Sequence, residues 1–258
     1  MNPVSLSERI GRMRPKSGGG IVEYPGHATP FAIATLRVYG RVLSAQLDKF
    51  LEENELEGMQ EMEKALARVE EPQEQSSVVQ SYRSGIESKA LDVQRYAWST
   101  FATLVWANFE SSMDLFRIWV ENSEPSTNAP REPQKRSNRP PQGIRRLNCH
   151  LDYFQNCNVN IRPVAEMDYL CGLYLVRNTI VHANGLIDRL DKETDRTDLV
   201  HFIKEEDGLS REPFGFEKHG LLCVHRSFSI RALEVTEAFL NKLNLAVESR
   251  YFASDASL

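Results

Sequence analysis

Over roughly residues 85 to 121 the chain places apolar side chains at helical spacing on two stripes. Ala97, Phe101, Leu104 and Val105 form one, and Trp98, Trp106, Phe109, Met113, Phe116 and Val120 the other. A helix that is apolar on more than one face is either central to a bundle or shared with a second subunit. The rest of the chain must therefore supply elements to cover it.

The first thirty residues, with Gly18-Gly19-Gly20, Pro15, Pro25 and Pro30, read as an arm outside the core with one short strand at Ile21–Tyr24. From about Phe31 to Glu70 apolar residues such as Leu36, Leu43, Leu47, Leu51, Met62 and Leu66 recur every three or four positions. That spacing predicts an amphipathic, hairpin-forming helical extension, ended by Glu70-Glu71-Pro72-Gln-Glu-Gln-Ser-Ser. Residues 122–142 hold several prolines and almost no apolar side chain, and read as a basic linker. Helices are expected at about 143–156 and, introduced by Pro163, at about 164–183, where Asn184-Gly185 is a stop signal. Leu199–Ile203 and Leu221–His225 are expected to pair as a small hairpin, with turns at Asp207-Gly208 and His219-Gly220. A last amphipathic helix starts near Ser227 or Ser229. The fold class is mainly α: an N-terminal extension over 1–80, then a helical domain over 81–258 with a β-hairpin before its last helix.

A chain of 258 residues, 41% hydrophobic, can bury a real core. Its formal charge of -5 opposes general attraction to nucleic acid, so any such site has to be a local basic patch. Arg131, Lys135, Arg136 and Arg139 in the linker, continued by Arg145 and Arg146, form the candidate RNA-guiding patch. No apolar run approaches the roughly 18 residues of a membrane span, and the stretch containing Glu8, Arg9 and Arg12 has no apolar signal region. A cytoplasmic protein without membrane attachment is expected. Cys149, Cys157, Cys171 and Cys223 lack CxxC spacing and read as reduced thiols, and neither a metal site nor a cofactor is expected.

The chemistry concentrates in Leu173-Tyr-Leu-Val-Arg177-Asn178-Thr-Ile-Val-His182-Ala-Asn184-Gly185. A fixed cation, an amide and a proton carrier fall within two helical turns, which is equipment for handling a phosphate. Asn178 and His182, one turn apart, share a face. Arg177 lies about 140 degrees around an ideal helix from His182, so its side chain must bend around or the helix must be irregular.

This motif, with the order of helices over about 85–250, resembles the HEPN superfamily, named for nucleotide-binding domains of higher eukaryotes and prokaryotes. The family motif is an arginine, usually a polar residue, and a histidine after four to six intervening positions. The resemblance implies a HEPN-like helical bundle and a metal-independent endoribonuclease, of the kind found in toxin systems and antiviral defence. It further implies a homodimer with facing motifs, an RNA substrate, and an antitoxin or defence-system partner protein. Under it Arg177 holds the scissile phosphate, His182 moves the proton, and Asn178 orients one of them. Phe109-Glu110 is similar to an acidic position in the first helix of several HEPN families, which adds Glu110 as a weaker candidate.

Each feature also has a reading without catalysis. Arginine and histidine are favoured in a helix's last turns by the macrodipole alone. Glu110 with Asp114 and Arg117 fits a set of surface ion pairs, and the basic linker fits a solvated segment. The alternative function is accordingly a non-catalytic HEPN-like binding or scaffold protein.

Overall fold

A computed structural model of the chain describes residues 23–123, 143–161, 164–215 and 219–252. Among these are six α-helices and one antiparallel hairpin: α1 (Pro25–Leu66), α2 (Pro72–Ser123), α3 (Gly143–Asn156), α4 (Met167–Ala183), α5 (Glu193–Glu205), β1 (Leu209–Phe214), β2 (His219–Val224) and α6 (Arg226–Phe252). The protein is mainly α, with the hairpin directly before the last helix. Among the described residues, no helix is long and apolar enough to cross a membrane.

The described residues group into two compact units, each assembled from several stretches of chain. The first takes the start of α1, α2 from Val105, α3, α4 to Tyr174 and α6 from Glu234. The expected apolar stripe becomes its core: Trp106, Phe109, Met113, Phe116 and Val120 are all buried. Phe109 meets Phe239 edge-on at 5.4 Å, and Trp106 lies 5.6 Å from Tyr174. Each such ring removed from water contributes about 1.5–3 kcal/mol. His150 of α3 is buried, stacks on Phe154 and meets the Asp114 carboxylate at 3.0 Å.

The N-terminal arm departs from expectation. Residues 21 and 22 lie outside the described residues, Glu23 and Tyr24 form no strand, and helix begins at Pro25. Proline suits a first helical position because its missing N–H has no partner there in any case. Tyr24, assigned by the sequence to an arm outside the core, is only 7% exposed and packs against Phe116, Trp119 and Phe252. Its hydroxyl donates to Asn244 Oδ1 at 2.6 Å. One aromatic ring with a satisfied hydroxyl anchors a segment whose proline and glycine content reads locally as loop. Pro30 is carried inside the helix, so one backbone bond to the Gly26 carbonyl is forgone.

The second unit holds α1 from Thr35, α2 to Leu104, the end of α4, α5, the β-hairpin and the start of α6. Here α1 and α2 form a long antiparallel helical hairpin. Tyr39 pairs with Phe101, Phe50 with the Lys89 ammonium, and the buried Asn54 amide donates to the Ile86 carbonyl at 3.3 Å. Gly58 permits a close approach, since a Cβ there would fall 2.3 Å from Ile86 Cδ1. The break between the helices is shorter than expected. It covers Ala67 to Glu71, and Pro72 opens α2 as a first-turn residue well before the expected start near 85.

Leu199–Ile203, expected to be a strand, is helical within α5. The true partner of β2 is β1, in the register Leu209 with Val224 through Phe214 with His219. Asp207-Gly208 is therefore the entry to the hairpin, with Gly208 at φ +83, and His219-Gly220 is strand rather than turn.

Candidate functional site

Arg177, Asn178 and His182 lie in the last turns of α4, which is continuous from Met167 to Ala183. Leu170, Leu173, Val176, Thr179 and Ala183, at spacings of three and four, form its buried stripe. That stripe leaves Arg177 and Asn178 half-buried and His182 exposed.

The helix ends where the sequence says it should. Asn184 and Gly185 both adopt left-handed backbone, φ +52 and +79, and the Gly185 N–H donates to the Thr179 carbonyl at 2.8 Å. The exiting chain is then fixed to the β-hairpin. Gly185 O accepts from the Leu222 N–H at 2.8 Å, Leu186 bridges Leu221, and Asp188 Oδ2 accepts from the Gly220 N–H at 2.7 Å. Arg211 and His219 flank that carboxylate at 3.6 and 3.7 Å. Expecting the wrong first strand concealed this clamp from sequence, because Arg211 belongs to β1.

The three residues meet through one guanidinium nitrogen. Arg177 Nη1 donates to Asn178 Oδ1 at 3.0 Å and lies 2.9 Å from His182 Nε2. The arginine bends around the helix, and the helix stays regular. Side chains on a helix lean toward its N-terminus, so His182 leans back to meet an arginine reaching forward. A guanidinium has donors only, so the contact uses Nε2 as an acceptor and describes a neutral imidazole carrying its proton on Nδ1. The group joins a fixed cation to a base whose lone pair is held at the helix surface.

The remaining candidates belong to the first unit or lie outside the described residues. Glu110 is a half-buried residue of α2 in the first unit, whereas the trio is in the second. Of the two residues grouped with it in the ion-pair reading, Asp114 meets His150 and Arg117 lies over the Tyr153 ring at 5.2 Å. Arg131, Lys135, Arg136 and Arg139 lie outside the described residues, and Arg145 and Arg146 occupy backbone positions in the first turn of α3. Among the described residues, no group of three or more histidine, cysteine or acidic side chains is placed to hold a metal ion. All four cysteines are free thiols. A groove of about 320 Å³ opens elsewhere, between α1 and α2, beside Asn54, Gly58, Tyr82 and Ile86.

One further polar cluster joins Cys223 and His225, whose spacing reads poorly as a metal site, to Ser210, which sequence reasoning did not single out. Ser210 Oγ and His225 Nε2 are 3.3 Å apart across the hairpin. Cys223 of β2, two residues before His225, bonds Ser210 and Arg95, and burial pushes its thiol up. The signal was the two-residue spacing of Cys223 and His225, legible only once β1 was known. Compared with known families, with curated proteins and with solved structures, the chain finds no match.

Proposed function

We propose that the protein is a metal-independent endoribonuclease of HEPN type, with Arg177, Asn178 and His182 as its working residues. The single observation that carries this reading is the bridge from Arg177 Nη1 to both Asn178 Oδ1 and His182 Nε2 on an accessible helix face. RNA supplies its own nucleophile in the 2′-hydroxyl. His182 Nε2 takes that proton, the 2′ oxygen bonds to phosphorus, and the bond from phosphorus to the 5′ oxygen breaks. The leaving oxygen takes a proton from the histidinium of a second copy, and a 2′,3′-cyclic phosphate remains. Arg177 binds the phosphate through two charge-assisted bonds that strengthen as charge develops.

The test is cleavage of RNA by the purified protein in excess EDTA, compared with His182→Ala. Cleavage that survives EDTA, leaves a cyclic phosphate, spares DNA and disappears in the variant supports the reading. Equal cleavage by the variant removes the site, and strict magnesium dependence replaces the mechanism.

A second reading, a non-catalytic binding or scaffold protein, draws on the α1/α2 hairpin. Val38, Val42 and Leu56 are 59%, 53% and 60% exposed there, an apolar surface suited to a protein partner. Under that reading the purified protein leaves RNA uncut.

A further inference from the structure

The bridge that unites the site also blocks it. At 2.9 Å the arginine occupies the lone pair of His182 Nε2, the only nitrogen of a neutral, Nδ1-protonated imidazole that can accept a proton. A base engaged in this way cannot accept a hydroxyl proton from a substrate. Arg177 must leave it first.

We propose that Arg177 is a phosphate-released latch: it holds His182 inactive in the free protein and frees the base only when a phosphodiester draws the guanidinium away. This deepens the ribonuclease reading and rests on it for the identity of the substrate. Three features carry the inference. First, the latch bond is one of the weaker ones a guanidinium can make, a single contact to a neutral nitrogen, whereas a phosphodiester offers paired, charged oxygens in matching geometry. Second, the latch lies on the outer face of α4, with His182 exposed, so an incoming anion can reach the guanidinium without opening the buried stripe. Third, Asn178 Oδ1 bonds the same nitrogen at 3.0 Å and holds the guanidinium beside the histidine.

The consequence is selectivity by activation. A compound with a hydroxyl but no phosphate meets a capped base, whereas a phosphodiester uncaps the base as it binds. Asn178 acts here as a positioning residue. It sets where the guanidinium waits and exchanges no proton itself.

The tautomer of His182 reports the latch directly. In the full chain with ¹⁵N-labelled histidine, long-range proton–nitrogen correlation spectra identify which ring nitrogen carries the proton at a pH where the ring is neutral, and loss of the signals in His182→Gln assigns them. With the latch closed, the Nδ1–H form should exceed the other by about tenfold or more, the bias expected from one charge-assisted hydrogen bond. Arg177→Met should bring the two forms within a few-fold of each other, and Asn178→Ala should fall between. Saturation with a 2′-deoxy oligonucleotide, which has the phosphodiester but no nucleophile, should move the wild-type tautomer ratio toward that of Arg177→Met and leave the variant's ratio unchanged.

An identical tautomer ratio in wild type and folded Arg177→Met overturns the latch. So does an oligonucleotide that fails to bind, or binds without moving the wild-type ratio. These outcomes separate from the ribonuclease reading. RNA cleavage with an unbiased tautomer keeps the enzyme and removes the latch, whereas a biased, oligonucleotide-released tautomer in a protein that cuts no RNA does the reverse.

Discussion

The two ends of α2 rest on different physics. From Val105 to Val120, within the first unit, Val105, Val120 and all the aromatic side chains are buried while Leu115 and Ile118 face outward, and the helix is held by what surrounds its buried side. From Pro72 to Ala97, within the second unit, no residue is fully buried, and the helix is held mainly by pairing with α1. The candidate site also belongs to the second unit, on the solvent face of α4. The contrast teaches where change should be tolerated. Stability concentrates in the aromatic core, while the proposed chemistry depends on side chains that contribute little to folding.

The largest expected effect separates these two roles most sharply. Arg177→Ala and His182→Ala should each lower RNA cleavage by about 10²–10⁴-fold, measured in single turnovers. Thermal unfolding should show a loss of no more than about 1 kcal/mol, the scale of a dipole contact at a helix end. A variant that loses activity only because it unfolds would erase the distinction.

The converse substitution is Phe109→Ala. It removes a fully buried ring packed against Phe239 and should cost about 3–5 kcal/mol in urea unfolding. Cleavage per folded molecule should stay near wild type. A cost below about 1 kcal/mol would mean that the core of the first unit does not bear the stability assigned to it.

Tyr24→Phe keeps the ring and removes the bond to Asn244, so about 1 kcal/mol should be lost. A neutral result would make ring packing alone what holds Tyr24 beside the start of α1.

Glu206 gives a smaller and pH-dependent effect. Burial, the largest influence, raises its carboxyl above the usual value near 4.5, with Arg231 at 3.6 Å opposing the rise. The folded state therefore holds this proton more tightly than the unfolded chain does. Stability is greatest below the ordinary carboxylate value and declines as pH rises from about 4.5 through the raised folded value. Glu206→Gln should flatten that decline and leave the protein up to about 1 kcal/mol more stable at neutral pH, as read from unfolding midpoints across pH. An unchanged slope would show that Arg231 offsets the burial fully.

The smallest effect belongs to the exposed face of α1. Val42→Ser should change stability by less than about 0.5 kcal/mol. A larger loss, or a concentration-dependent one, would reveal that this face is covered in solution and would favour the binding reading.

Particular residues show which features were legible in sequence. The bounds of α3, the stop at Asn184-Gly185 and the apolar stripe from Trp98 to Val120 depend on neighbours within a turn or two, and local patterning encodes them. The grouping of Arg177, Asn178 and His182 was legible for the same reason, because they lie within two turns of one helix. Its connection was not. Whether the arginine would bend around the helix or the helix would distort is a choice of rotamer, which spacing leaves open.

Tyr24 and the β-hairpin mark the other limit. Nothing within a few residues of Tyr24 indicates that it belongs in a core, because Phe116, Trp119, Asn244 and Phe252 come from distant parts of the chain. Leu199–Ile203 has the composition of a strand, yet Leu209–Phe214 pairs with β2, and α5 places Leu199 among buried residues as part of a helix. Sequence by itself determined a mainly helical protein and the three residues of its proposed site, since both rest on the short-range period of an α-helix. Only the tertiary structure decided which strand pairs, which tyrosine is buried and which atom of His182 faces Arg177, because those outcomes depend on burial and hydrogen bonding between segments far apart in the chain or on side-chain torsions that the backbone period does not set.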